Sequence, residues 1–166
     1  TSKSTALLPP TLTKLELSRS HLITDDAIAH IPRTVTYLDL MFNQNLSDLA
    51  VPAIPRGVTH LALSGARKLT NRAIADLPRS LTYLDIKMAK ISDEAIKDMP
   101  RGLENLLMGC NELLTSRATP DLPRGLLALD MAWNVHLDDS GIEHLPRTLT
   151  HLDLESNQKL TDKSID

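Results

Sequence analysis

Seven prolines stand in register along the chain: Pro9, Pro32, Pro55, Pro78, Pro100, Pro123 and Pro146, at intervals of 23, 23, 23, 22, 23 and 23 residues. An aliphatic residue precedes each one: Leu8, Ile31, Ile54, Leu77, Met99, Leu122 and Leu145. This period constrains the fold more than any local propensity does. A unit so short cannot bury its own apolar side, so successive units must stack and share one continuous core.

Aligned on the proline, the units share the spacing L-x-x-L-x-L-x-x-N-x-x-L. The last reads LPRTLTHLDLESNQKLTDKSI, with Leu149, Leu152, Leu154, Asn157, Leu160 and Ile165 at the fixed positions. The sixth supplies Leu126, Leu129, Met131, Asn134, Leu137 and Ile142. The L-x-L step has the period of a strand whose alternate residues point inward. Asparagines at 43, 111, 134 and 157 are placed to turn the chain out of the strand and bond neighbouring backbone. Ser20, Ala66 and Ala89 fill that slot in the other units, and looser turns are expected there because alanine has no amide. A polar pair follows in each unit, from Thr24-Asp25 to Thr161-Asp162, and reads as a helix N-cap. Short helical turns such as 27–31 come next, each ended by the following proline. The fourth unit is one residue short at Lys90-Ile91, which is expected to pinch the convex loop.

These residues resemble the leucine-rich repeat superfamily over 8–166. The resemblance implies an α/β fold, a right-handed curved solenoid of seven repeats. Parallel strands would line its concave face, with short helices or 3-10 turns on the convex face. The asparagine positions correspond to what the family calls an asparagine ladder. The leading L-P-R-x-L-T is similar to leucine-rich domains of bacterial effectors, and Phe42-Asn43-Gln44-Asn45 echoes the FNIP repeats of amoebae and giant viruses. Residues 1–7 read as a flexible lead-in. Neither end of 8–166 carries a cap over the core, so the sequence is expected to be a fragment of a longer protein.

Composition narrows the function. A net charge of −3 and a pI near 6.0 argue against nucleic acid as the partner. No apolar run approaches the roughly 18 residues of a membrane span, so no membrane association is expected. The lone Cys110 excludes an internal disulfide and a Cys-rich zinc site. With no leader visible, it points to the cytoplasm, or to a host-cell cytosol if the chain is an effector.

Repeat geometry sends the third, fifth, seventh and eighth residues of each unit, counted from its first leucine, to the solvent side of the concave face. The third column holds Lys14, Tyr37, His60, Tyr83, Asn105, Ala128 and His151. The fifth holds Glu16, Asp39, Ala62, Asp85, Leu107, Asp130 and Asp153. The eighth holds Arg19, Phe42, Gly65, Met88, Cys110, Trp133 and Ser156. All four aromatic residues of the chain fall in these columns, and aromatics are what interface centres enrich. Six acids against Lys14, Arg19 and Lys87 make the face acidic, which would steer a basic segment onto it. The expected binding set is therefore Tyr37, Asp39, Phe42, His60, Tyr83, Asp85, Met88, Asp130, Trp133 and Asp153, taking a basic or amphipathic segment of a partner protein.

An arginine column after the proline (Arg33, Arg56, Arg79, Arg101, Arg124, Arg147) stacks like charges, with the acids of the convex caps nearby to offset them. No glycine-rich phosphate loop, H-E-x-x-H or nucleophile elbow occurs. His60 has Ala62 as its neighbour on the same face, so no adjacent carboxylate orients it. No catalytic residue, cofactor or metal site is assigned. The reading is a protein-binding module; the alternative is the targeting half of an enzyme, a ubiquitin ligase or transferase, whose catalytic part lies elsewhere.

Overall fold

A computed structural model describes residues 8–164. The lead-in assigned to 1–7, and Ile165 of the last repeat, lie outside the described residues. Seven strands form one sheet in chain order: β1 (Lys14–Glu16), β2 (Tyr37–Asp39), β3 (His60–Ala62), β4 (Tyr83–Asp85), β5 (Asn105–Leu107), β6 (Ala128–Asp130) and β7 (His151–Asp153). Every neighbouring pair is parallel. The register never slips, so Lys14 faces Tyr37, Tyr37 faces His60 and His60 faces Tyr83. The sequence columns are therefore real columns in space.

The central residue of each strand is the leucine that points inward. Leu38, Leu61, Leu84 and Leu106 are fully buried, whereas Leu152 on the last strand is 43% exposed. Burying one such side chain is worth roughly 1.5–3 kcal/mol, and the aliphatic core repeats that gain at each unit. Leu40, Leu63, Ile86, Met108 and Met131 continue it below the strand ends.

The convex side carries α1 (Asp25–Ile28), α2 (Asn71–Ala75), α3 (Asp93–Ile96) and α4 (Asp139–Ile142). Single 3-10 turns take their place at Asp48–Ala53, Ser116–Asp121 and Asp162–Ser164. Two of these turns contain Pro52 and Pro120. A proline has no N–H to donate back one α-turn, so the tighter 3-10 path replaces the helix there. The helix expected at 27–31 begins earlier, at Asp25, because the second residue of the polar pair is already helical.

The polar pairs do more than cap. Ser47, Thr70, Thr115 and Asp138 each accept the N–H two residues on, as N-caps do. The second residue of each pair reaches across to the next repeat. Asp48 accepts the Thr70 N–H at 2.7 Å and the Thr70 hydroxyl at 2.6 Å. Asp25 bonds Ser47, Asp93 bonds Thr115 and Asp139 bonds Thr161 in the same two-pronged way. Asn71 replaces the carboxylate toward Ser92, accepting its N–H and donating to its hydroxyl. Between Ser116 and Asp138 the roles are swapped: the serine hydroxyl accepts the Asp138 N–H and donates to the Asp138 carboxylate. All joints from the first repeat to the seventh are linked this way.

Four of the six arginines in the column are also structural, and among the described residues no ion pair joins the column to the cap acids. Arg79 donates to the carbonyls of Ala75 and Asp98, clamping the end of its own convex segment to the next one. Arg56, Arg101 and Arg124 repeat the clamp. Those carbonyls sit where helical segments leave acceptors unsatisfied, so each guanidinium finds two partial negative charges.

The asparagine ladder is incomplete, as expected. Asn43, Asn111 and Asn157 each donate to carbonyls of their own and the preceding repeat. Asn134 donates to Met108 O and accepts the Asn111 N–H at 2.9 Å. The amide oxygens of Asn43, Asn111 and Asn157 are buried without a partner. The turn at Ala66 is not loose: it is fully buried and closes through its own N–H on Leu63 O at 3.1 Å. At the short fourth repeat a groove of about 460 Å³ lies between Arg67 and Leu113 over Ala89 and Lys90.

Candidate concave binding face

Third and fifth residues of each unit lie two apart on a strand, so both face away from the core on the concave side. With strands about 4.8 Å apart, flat side chains in one column must stack. Tyr37 and His60 have ring centroids 4.1 Å apart at 11°, and His60 and Tyr83 are 3.8 Å apart at 9°. The Lys14 ammonium lies 4.5 Å from the centre of the Tyr37 ring and closes the end of the row. Burial between two phenol rings lowers the His60 pKa; Asp39 opposes this and Lys14 adds to it. Burial likewise raises the Tyr83 pKa. The stack is thus a plate of three parallel rings capped by one ammonium.

The middle of the fifth column departs from its expected place in solvent, while Glu16 and Asp153 are exposed. Asp39 and Asp85 are only 9% and 7% exposed, and Ala62 between them is 4% exposed. Their carboxylates are working groups. Asp39 accepts the Met41 N–H at 2.9 Å, Asp85 the Lys87 N–H at 3.1 Å, Asp130 the Ala132 N–H and Asp153 the Glu155 N–H, each at 2.9 Å. An aspartate two residues before a turn fixes the chain as it leaves the strand, a local bond of the Asx type. Burial pushes the Asp85 carboxyl up, with the Lys87 N–H and charge pulling the other way. Asp130 also pairs with the Lys87 ammonium at 2.5 Å. In the seventh column (Ser18, Met41, Ser64, Lys87, Gly109, Ala132, Glu155) Ser64, Gly109 and Ala132 are buried as well, while Ser18 and Glu155 are exposed.

The eighth column is the turn itself. Arg19, Phe42, Met88, Cys110, Trp133 and Ser156 all have φ between 58° and 60°, and Gly65 has φ 79°. This left-handed conformation is unfavourable for side chains other than glycine, and the parallel ladder enforces it. Phe42 donates its N–H to Ser64 O at 2.7 Å, and Trp133 to Glu155 O at 2.8 Å. Phe42 is not a free anchor. Its ring lies over Gly65, where a Cβ would stand 2.6 Å from the ring, and the Arg19 guanidinium is 5.3 Å above it. Trp133 is the reverse case, 53% exposed; Met88 is 37% exposed and lines the groove at the short repeat with Cys110.

Of the residues singled out in sequence, Tyr37, His60 and Tyr83 therefore come together, with Asp39 and Asp85 alongside them. Phe42, Met88 and Trp133 sit on the turn side of the same face, and Asp153 lies on the exposed β7. Sequence reasoning missed the groove and the convex linkages. The exchange of roles between Ser116 and Asp138 was the available signal for the latter, since each residue type stands where its partner requires. Among the described residues no group of three His, Cys, Asp or Glu side chains could hold a metal ion. None of their helices is long and apolar enough to cross a membrane.

A family model described as Leucine Rich repeat matches residues 32–54, 78–99 and 146–165, each stretch opening on one of the in-register prolines. Among curated proteins none matches the sequence. Solved structures do match in shape. A chain in the crystal structure of the Rad7 and Elc1 complex in yeast superposes with a TM-score of 0.74 at 22% identity, covering 96% of this chain and 48% of that one. The leucine-rich repeat-containing protein LegL7 from Legionella pneumophila gives 0.59 at 17% identity, covering 96% and 71%. A chain of the TLR13-ssRNA13 complex gives 0.67 at 26% identity, covering 93% and 23%. The chain thus spans about half the length of the Rad7–Elc1 chain it matches.

Proposed function

We propose that this chain, a leucine-rich repeat solenoid, is a protein-binding module that receives a partner segment on its concave face. The observation that carries the reading is the placement of the rings. All four aromatics of the chain lie on the concave columns and none belongs to the hydrophobic core: Tyr37 and Tyr83 stack on His60, Phe42 lies over Gly65 and Trp133 is exposed. Rigid, half-desolvated aromatics at fixed spacing lose little ordering entropy on binding and make the strongest anchors at interfaces.

The partner fits the chemistry of a basic or amphipathic polypeptide, because the face is acidic and a polyanion would be repelled. Among the matched structures, one is a complex of two proteins and one contains single-stranded RNA; the acidic face favours the first kind of partner here. The module itself performs no chemistry in this reading. Its lone thiol suits a cytoplasmic setting, including a host cytosol if the likeness to effector domains extends to the whole protein.

The test is a cross-linked pull-down comparing the chain with a Tyr37→Ala/Tyr83→Ala/Trp133→Ala variant of verified fold. Proteins lost only from the variant support the reading, and their affinity should fall by more than about 1 kcal/mol for Trp133→Ala or Tyr83→Ala alone. An identical catch from both would move the site off the concave face.

A further inference from the structure

Three consecutive turns in the middle of the solenoid differ in length. Between the buried Ala66 and Leu69 of the third repeat stand Arg67 and Lys68, and between the buried Asn111 and Leu114 of the fifth stand Glu112 and Leu113. Between Ala89 and Ile91 of the fourth there is only Lys90. Its backbone is held in place, since the Lys90 N–H donates to Leu69 O at 2.9 Å. The groove of about 460 Å³ lies here, a volume within the range of ligand clefts.

Its lining has two chemistries. Arg67 and Lys90 are exposed cations, and among the described residues neither enters an ion pair. They differ in this from Arg56, Arg79, Arg101 and Arg124, whose guanidinium groups are taken up by carbonyls. The apolar part is Met88, Cys110 and Leu113, with Met88 37% and Leu113 55% exposed. It continues beyond the groove. The Cys110 N–H donates to Ala132 O, next to Trp133, and Val135 of the same sixth-repeat turn is also exposed. Half of the exposed large hydrophobics among the described residues, namely Met88, Leu113, Trp133 and Val135, thus belong to the turns of three successive repeats. Scattered singly they would need no explanation, but a run on adjoining turns beside a groove marks a contact surface.

We propose that this groove receives an apolar side chain of the partner protein, that Arg67 and Lys90 hold an aspartate or glutamate next to it in the partner's sequence, and that the segment then runs over Trp133. This rests on the reading of the chain as a protein-binding module, and it adds an acidic and apolar anchor to the basic stretch assigned to the strand columns. Closing over Met88 and Leu113 removes exposed apolar surface from water, and the unbranched Met88 side chain adapts to the shape it meets. A carboxylate between a guanidinium and an ammonium gains charge-assisted hydrogen bonds. Glu112 is the one acid of the lining and stands on the fifth-repeat side with Leu113, so a partner carboxylate is repelled from that end and drawn to the other.

The experiment selects a displayed library of random linear peptides on the wild-type chain alone and measures the enriched peptides on variants. They should share an apolar residue beside an aspartate or glutamate. Arg67→Gln/Lys90→Gln should weaken them roughly tenfold or more, and Leu113→Asp by a similar factor, while Glu112→Gln should tighten them. All four positions are exposed, so the fold survives these changes. A saturating peptide should also slow alkylation of Cys110, the single thiol of the chain, by iodoacetamide roughly fivefold or more, because access to the thiol limits that reaction. Peptides that leave Cys110 alkylation unchanged and ignore Arg67→Gln/Lys90→Gln, yet are lost on Tyr37→Ala/Tyr83→Ala, would overturn the groove and leave the strand columns standing. Peptides that protect Cys110 but carry no acid would overturn it as well. Peptides that protect Cys110 and need both cations, but ignore Tyr37→Ala/Tyr83→Ala, would support the groove and remove the strand columns from the site. Recovery of no binding peptide would count against both.

Discussion

The convex and concave sides of this solenoid use their polar side chains in opposite ways. On the convex side the charges are consumed. Asp25, Asp48, Asp93 and Asp139 each hold a backbone N–H and a hydroxyl of the next repeat, and Arg56, Arg79, Arg101 and Arg124 each hold two carbonyls. On the concave side Asp39 and Asp85 each accept one N–H and, among the described residues, form no ion pair, and Trp133 is half in solvent. A column of like charge in a repeat protein is thus not a functional signal by itself. The distinguishing question is whether its hydrogen bonds are already made within the chain.

If that contrast is right, substitutions on the two sides separate stability from binding. The largest effect expected is on the convex linkage. Asp93→Ala removes two hydrogen bonds, one to a backbone N–H, and should cost about 2 kcal/mol by urea unfolding while leaving partner affinity intact. Trp133→Ala should do the opposite: its ring is 53% exposed, so the unfolding midpoint should barely move while affinity falls by more than about 1 kcal/mol. Equal losses of stability in the two variants would erase the comparison.

Arg79→Ala probes the clamp between convex segments. Its two carbonyl bonds are solvent-exposed, so the expected cost is about 0.5–1 kcal/mol in the same unfolding measurement. If the arginine column served instead to bind an anion, Arg79→Lys would keep that binding and full stability. The clamp predicts that lysine, lacking the planar fork, does not restore stability.

The smallest expected effects come from pH. Burial lowers the folded His60 pKa below its unfolded value near 6.5, so the unfolded chain binds the proton first. Stability from the neutral stacked ring is fully present above the unfolded value and is lost as pH falls toward the folded one. His60→Phe should flatten that slope in a midpoint-against-pH series. For Asp85 the folded pKa is raised by burial, so ionisation opposes folding at neutral pH. Asp85→Asn should therefore equal or slightly exceed wild type in stability at pH 7, with the difference shrinking as pH drops through the folded and then the unfolded pKa.

The proline register and the L-x-L step made the fold legible, because a fixed period leaves one way to bury leucines such as Leu38 and Leu61. Strand register followed from the same period, and it brought Tyr37, His60 and Tyr83 into one stack. Less legible was what each polar column bonds. Asp39 and Asp85 read as solvated acids because sequence shows the strand face but not the local bond from carboxylate to the N–H two residues on. Phe42 read as a member of the binding set, although Gly65, the next residue of its own column, leaves the space its ring fills.

The measurement that bears most directly on the contrast is a calorimetric titration of one peptide selected on the wild-type chain alone, with no counter-selection, against two variants of equal substitution load. One is Tyr37→Ala/Tyr83→Ala/Trp133→Ala and the other Arg56→Ala/Arg79→Ala/Arg101→Ala, both checked for native fold at the titration temperature. The expected result is loss of binding in the first and wild-type affinity in the second, despite the lower stability of the second. Retained affinity in the aromatic variant with loss in the arginine variant would contradict the account and place the binding surface on the convex edge.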